Sequence, residues 1–508
     1  MQKSTRVFPS VPVTFTGQSL VSHAGVKVLT DFMDALGFGR VCEERLGQLV
    51  PSGARHRSGR ILGSLATMLA AGGEHASDLD ILRSSPGAFG QLPSNATVSR
   101  FFERTVANPE LFSYGFETLT RALRTRAWDA AGDRNPALSA TVADPLIIDL
   151  DATLVTSHSD KENVAGTYKG GYGFAPFIAS VDYGTGNGSG EILAAVLRPG
   201  NAGANSAEDH IRVFHTAAAQ LPESFFNEAG ALAGEKVLVR TNSAGASRKF
   251  LWHLHSLGVQ FSTSYTLPFG KAHMIDWITD KQYWQPALDQ SGNDRTDAWV
   301  INATDIIPLQ DYPPDTQLFL RAEPLHPGAQ PTLLDTDGHR ITAFLTNSPR
   351  WHGPFLDARH RARARCENRI KTLKNTGLGK LPSVILSPVD YRRADLRFCV
   401  VDGAFDGGSG VAWSTVAGIS GSGFFGRVAV RPRPVMRSAR AEPRASARAS
   451  RRSRFSCSSR CSRSVAASSR RSRDACEACC RCGVSGAGGV GRRRARSRWI
   501  SALRSAWV

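Results

Sequence analysis

Between residues 145 and 265 the chain changes periodicity several times in a fixed order, and that order leaves few folds open. IIDLDATLV (Ile147–Val155), FAPFIASVDY and EILAAVLRPG read as three neighbouring strands with Gly-rich turns between them. AEDHIRVFHTAAAQLP then shows apolar residues at helical spacing, and KVLVRTN reads as a short buried strand. SRKFLWHLHSLG reads as a second helix and VQFSTSYTL as a further strand. A meander followed by alternating helices and strands predicts an α/β fold, a mixed sheet with helices on its faces.

The first of these strands carries an anomaly. Side chains alternate along a strand, so Asp149 and Asp151 share one face while Ile148 and Leu150 share the other. Two carboxylates at a buried strand end are costly unless a cation sits between them. Two chemistries meet that demand at this stage. The pattern resembles the first motif of haloacid-dehalogenase-type phosphatases, in which Asp149 is the phosphorylated nucleophile and Asp151 the acid/base. That fold normally begins with this strand, whereas about 145 residues precede it here, and no later strand ends in a paired Asp-Asp motif. The other chemistry is a divalent-metal site built with carboxylates from elsewhere in the chain.

A source for such a carboxylate lies far downstream. LDARHRARARCENRIKTLKNTG reads as one charged helix ended by Gly377 and Pro382. His360, Arg363, Glu367 and Lys374 recur on it at intervals of three, four and seven, which places them on one stripe with Ile370 and Lys371 nearby. By spacing alone the stripe reads better as an ion-paired, solvated face.

Residues 20–135 have helical patterns in GVKVLTDFMDALGF, SGRILGSLATMLAAGG and ELFSYGFETLTRALRTRAW. Between them, Ser94, Asn95 and Thr97 offer caps for a short helix bearing Arg100 and Arg104, four residues apart. That pair suits phosphate contacts or an ordinary capped surface helix. Residues 266–345 have short strands (AWVINA, QLFLRAE, RITAFLTN) and read as a β-rich insertion.

Charge sharpens the partition. The 508 residues carry a formal net charge of +18, but 22 Arg and 3 acids fall between Arg427 and Val508, with no Lys. The rest of the chain is near neutral, so a nucleic-acid face there requires local clustering. Six of the nine Cys lie in the same tail (Cys457, Cys461, Cys476, Cys479, Cys480, Cys482), and their irregular spacing makes a poor zinc site. An Arg/Ser/Cys-rich tail with no amphipathic period is expected to be disordered; a genuine nucleic-acid-binding tail and a frameshifted end both produce it. No membrane span or signal peptide is read, and few body thiols suit a reducing compartment, so a cytoplasmic, nucleoid-associated protein is expected.

Taken in order, PLIIDLDATLV, SDKENVAGTYKGGYGFAPF, LRPGNAGAN, VLVRTNSAG, RITAFLTN and HRARARCENRIKTLKNTGL resemble the DDE transposases of bacterial insertion sequences. The resemblance spans about residues 20–382 and is nearest to insertion-sequence family thirteen-eighty, in the group that includes family four. The Tyr-x2-Arg-x3-Glu-x6-Lys signature of that group is met at three of four positions, with His360 in place of Tyr. The resemblance implies an RNase H-like mixed-sheet catalytic core, a helical N-terminal DNA-binding region (1–140), core segments at 141–265 and 346–382, a β-rich insertion (266–345) and an aberrant tail (383–508). It implies catalytic Asp151, a second acid at the position held here by Asn242, and Glu367, with Asp149 as an alternative metal ligand to Asp151. Two Mg²⁺ or Mn²⁺ ions would be held by these groups. His360, Arg363, Lys371, Lys374, Arg100 and Arg104 would contact double-stranded DNA, the terminal inverted repeats and the target, in a dimeric complex. Asn242 brings no charge, so the same resemblance implies an impaired enzyme or a decayed DNA-end-binding remnant.

Overall fold

Where the sequence reads one helix in GVKVLTDFMDALGF there are two, α1 (Lys27–Ala35) and α2 (Phe38–Leu46). Gly37 separates them at φ +70°, a left-handed conformation that costs glycine little and ends the first helix. The computed structural model describes residues 6–11, 23–157, 161, 163–184, 190–204, 206–267, 283–330, 335, 338–349 and 352–379, all within the first of two units, Met1–Phe425. The expectations for the tail, its cysteines and Pro382 lie outside the described residues.

α3 (Ser58–Ala70) is followed by two single turns, α4 (Asp80–Arg83) and α5 (Pro86–Phe89), and then by α6 (Asn95–Ala107). Ser94 caps α6, its hydroxyl accepting from the Thr97 amide at 3.3 Å, as the sequence predicts. α7 (Pro109–Ala130) is the long helix of this region, and α8 (Pro136–Ser139) leads into the sheet. Phe38, Val41, Leu62, Phe101, Phe112 and Phe116 form the helical core. Gly115 allows α7 to approach α2, because a Cβ there would lie 2.7 Å from the Arg45 carbonyl oxygen. Arg124 ties α7 to the sheet region: its guanidinium donates to the Gln220 side chain (2.9 Å) and the Ile192 carbonyl (3.1 Å).

The strands follow the predicted order. β1 (Leu146–Ala152), β2 (Val155–Thr156), β3 (Ala165–Gly166), β4 (Tyr172–Phe174), β5 (Phe177–Asp182) and β6 (Glu191–Val196) precede α9 (Ala207–Ala218). β7 (Val237–Thr241), α10 (Arg248–Ser256) and β8 (Gln260–Tyr265) come next. β9 (Gln285–Leu288), β10 (Asp294–Asn302), β11 (Gln317–Pro324) and β12 (His339–Thr346) precede α11 (Gly353–Arg361) and α12 (Arg365–Leu373).

Among the described residues, nine strands form one sheet in the order β6-β5-β1-β7-β8-β12-β11-β10-β9. β1 runs antiparallel to β5 and parallel to β7, and β7 runs parallel to β8. One face packs Ile148, Leu150, Val239 and Phe261 against Val213, Phe214 and Phe250 from α9 and α10. The β-rich segment is continuous with this sheet, since β12 pairs antiparallel with β8. β2, β4 and β3 make a separate three-stranded sheet. No helix among the described residues is long and apolar enough to cross a membrane.

Candidate active site

The parallel register of β1 and β7 sets Asp149 opposite Arg240, and the antiparallel register with β5 sets Ile147 opposite Asp182. Asp149, Arg240 and Asp182 therefore meet on the sheet face turned toward α11 and α12. Asp149 is fully buried. Its Oδ1 accepts from Arg240 Nε at 2.7 Å, and its Oδ2 accepts from Arg240 Nη2 at 2.8 Å and Arg369 Nη1 at 3.0 Å. Asp182 receives Arg240 Nη2 at 2.5 Å and Arg365 Nη2 at 2.7 Å, and pairs with Arg369 Nη2 at 3.1 Å. Burial pushes the Asp182 carboxyl up, but Arg240, Arg369 and Arg365 together hold it below the usual range. Arg240 also donates from Nη1 to the Arg359 carbonyl at 2.6 Å, which clips the end of α11 to the sheet.

The cation beside Asp149 is thus supplied by the protein itself. An Asp149 carboxylate engaged on both oxygens by guanidinium groups is a poor metal ligand and a poor phosphoryl acceptor. Arg240, Arg365, Arg369 and Asp182 were not singled out in the sequence, although a signal was present. KVLVRTN places an Arg inside a buried strand, and Arg365 and Arg369 stand four apart on a stripe beside that of His360, Arg363, Glu367 and Lys374.

Asp151, two residues on, sits at the mouth of this cluster with its side chain 16% exposed. Its Oδ1 accepts from the Ala152 amide (3.0 Å) and from Asn242 Nδ2 (3.2 Å). Its Oδ2 accepts from Arg363 Nη1 (3.2 Å) and lies 3.5 Å from Cys366 Sγ. Burial, then Asp151 and Asp149, push the Cys366 thiol well above its ordinary range, so it remains a protonated donor. Asn242 follows β7 directly and caps the single turn Ser243–Gly245, its Oδ1 accepting from the Ala244 amide at 3.0 Å. Both ends of the amide are therefore fixed: oxygen toward the turn, nitrogen toward Asp151.

The third position comes from α12. The charged segment is not one uniform helix, because Ala362–Ala364 form a tighter 3₁₀ turn between α11 and α12. That turn changes the helical phase, and the predicted stripe divides. His360 points to the sheet. Its Nδ1 meets Ser262 Oγ at 2.9 Å, its Nε2 meets Ser264 Oγ at 3.1 Å, and its ring stacks on Phe344 at 4.9 Å. Burial, followed by Arg240 and neighbouring arginines, lowers its pKa to about 3, so it is neutral at pH 7. His360 is half-buried and neutral, so it offers a phosphate no positive charge. Arg363 turns to Asp151. Glu367, one residue past Cys366, is exposed, as are Lys371 and Lys374. Arg100 is exposed on α6 with its Nε donating to the Ala96 carbonyl at 3.1 Å, and Arg104 is half-buried.

His360 carries a pH signature. Its folded pKa lies below the ordinary value of 6.5, so the unfolded chain takes up its proton first on acidification. The stability it permits is present above pH 6.5 and is lost as pH falls toward 3. The thermal midpoint of the wild-type chain is expected to fall more steeply across pH 6.5 to 4 than that of His360→Gln; equal slopes in differential scanning fluorimetry would refute this.

The arrangement is an acid on a first strand, a polar residue ending its parallel neighbour, and a late helix whose Cys366 contacts the first acid while its own acid, Glu367, is exposed. The family model described as Transposase DDE domain group 1 matches residues 4–384, well over half of the chain. The chain belongs to the DDE transposases. No curated protein shows significant sequence similarity to it. Among solved structures it is similar to a piggyBac transposase in a synaptic complex with hairpin DNA, at 9% identity and a TM-score of 0.34, covering 80% of this chain and 77% of that one.

DDE transposases generally use divalent metals. As they stand, this chain's residues do not form a site for them. Asp151 is satisfied by four protein donors, one of them a cation; Asn242 turns its amide nitrogen inward; and Asp149 is committed to Arg240 and Arg369. No cluster of three or more His, Cys, Asp or Glu able to hold a metal occurs among the described residues.

Proposed function

We propose that this chain binds the terminal inverted repeats of an insertion sequence, of the family thirteen-eighty type, through an RNase H-like core whose strand cleavage is impaired at Asn242. The observation that carries the reading is the 3.2 Å hydrogen bond from Asn242 Nδ2 to Asp151, where a second carboxylate would have to share a cation with the first. The strand order β6-β5-β1-β7-β8, three antiparallel strands followed by two parallel ones, supports the RNase H-like assignment. Asp151 and Glu367 are the two acids of the family pattern that remain. Lys371 and Lys374, exposed on the segment that follows Glu367, are the phosphate contacts, and Arg363 holds Asp151 in place until a DNA phosphate draws its guanidinium away.

The same geometry bears on the phosphatase alternative. Its nucleophile would be Asp149, which is buried beneath two guanidinium groups.

The purified chain is expected to shift a duplex carrying the element's terminal repeat in preference to a shuffled duplex, with affinity falling steeply with salt. It is also expected to leave that duplex largely intact in Mg²⁺ or Mn²⁺. Robust nicking by the unaltered chain would overturn the impairment, and equal affinity for both duplexes would overturn end recognition.

A further inference from the structure

A hairpin beside the helix segment of Lys371 and Lys374 carries two tyrosines that neither the acids nor the expected DNA contacts account for. β3 and β4 pair as a hairpin, with Ala165 opposite Gly173 and Gly166 opposite Tyr172. Its tip reads Thr167-Tyr168-Lys169-Gly170-Gly171 and is closed by Thr167 N donating to the Gly171 carbonyl at 2.8 Å. Gly170 takes φ +76°, which the tight turn requires.

The base of the hairpin is rigidly seated. A Cβ on Gly173 would lie 2.0 Å from the Val155 carbonyl oxygen, and one on Gly200 would lie 2.4 Å from that of Ala165. Ser157 N donates to the Tyr172 carbonyl at 2.9 Å, and Phe174 is fully buried beneath.

The tip on this base is the opposite of buried. Tyr168 is 81% exposed and Tyr172 is 45% exposed. Two aromatic rings held in water on a rigid base give up contact area that a core would use, which marks a surface for recognition. Lys169 Nζ lies 5.7 Å from the Tyr168 ring centroid. The hairpin also adjoins the helix carrying Glu367: Val155 of β2, the strand paired to β4, packs with Ile370, Leu373 and Leu378. Lys371 and Lys374 project from that segment, and burial together with Lys169 draws Lys374 below its usual pKa. Two tyrosines and Lys169 on the hairpin, with Lys371 and Lys374 on the adjoining segment, thus make up one rim.

We propose that this rim is a stacking platform for unpaired bases at a DNA end: Tyr168 and Tyr172 take the base faces, and Lys169, Lys371 and Lys374 take the flanking phosphates. Alternating aromatic and basic groups suit single-stranded nucleotides, because every base has a face to stack and every linkage a charge to neutralise. Blunt duplex hides its base faces and would use only the lysines. The inference rests on the DNA-end reading above and adds the state of the DNA that the site prefers.

The test uses the full chain and two probes: a blunt duplex with the terminal repeat, and the same duplex with a short unpaired 3′ extension bearing 2-aminopurine. The wild type is expected to bind the extended probe more tightly and to change its 2-aminopurine emission. Tyr168→Ala/Tyr172→Ala should lose that preference, by on the order of tenfold per ring, and lose the emission change. Its affinity for blunt duplex should change far less, and Tyr168→Phe/Tyr172→Phe should retain the preference. Lys169→Ala should weaken both probes alike and reduce the salt slope by about one. An unchanged preference in the double alanine variant, with its thermal midpoint intact, would overturn the platform and leave end binding standing. Failure of the wild type to bind either probe would overturn the DNA-end reading itself, and this proposal with it.

Discussion

Asn242→Asp is expected to raise Mg²⁺- or Mn²⁺-dependent nicking of terminal-repeat DNA by at least about 100-fold, the equivalent of about 2.7 kcal/mol of transition-state stabilisation. Asp is as good a cap as Asn for the turn Ser243–Gly245, so the backbone at the end of β7 has no reason to move. What changes is the contact to Asp151. A donor at 3.2 Å becomes a second carboxylate oxygen, and two such groups share either a proton or a cation. A second measurement separates this outcome from a general gain in activity. In chelator the variant should melt below the wild type, and added Mn²⁺ should recover the loss, a saturating ligand contributing about 2.7 kcal/mol at a hundred times its Kd. The wild-type midpoint should respond little. If Asn242→Asp shows neither metal-dependent nicking nor metal-dependent melting, residue 242 is not the missing acid.

The largest effect on stability is expected from Arg240→Met. Arg240 is fully buried and neutralises both Asp149 and Asp182, so its removal leaves two buried carboxylates with only Arg369 and Arg365 to share. Breaking a buried ion pair from one side costs about 3–5 kcal/mol, a large share of the 5–15 kcal/mol that holds a typical domain. Urea denaturation should show the midpoint falling accordingly. The loss should shrink when Asp149→Leu is added, because the stranded charge goes with its partner. A loss under about 1 kcal/mol in the single variant would mean that the cluster contributes little to folding. Because Asp182 is held below its ordinary pKa, the contribution of its ion pairs is present above about pH 4 and disappears on further acidification.

Strands and helices with a clear period were legible in the sequence. The runs at β1, β5, β6, β7 and β8 lie where alternation and turn residues put them, and the Ser94 cap starts α6 as read. Three features were not legible, each for a physical reason. The split between α1 and α2 depends on one glycine adopting a positive φ, which an apolar repeat does not report. The union of β12 with β8 is a pairing between strands more than 70 residues apart, with no local signature. The 3₁₀ turn at Ala362–Ala364 redistributes a stripe that spacing alone had joined, sending His360 to the sheet and Arg363 to Asp151. The two acids of β1 illustrate the same limit. Their shared face followed from alternation, but that one belongs to an arginine cluster and the other to the site mouth depended on side chains from three other elements.

The unbroken sheet also bears on how such a protein can be trimmed. Were residues 283–346 excised, β8 would exchange a hydrogen-bonded partner for a raw edge, with the amides and carbonyls of Gln260–Tyr265 open to any passing chain. The β-rich segment is therefore a plug on a strand that would otherwise recruit other molecules, and a shortened version is expected to self-associate whatever it does to DNA.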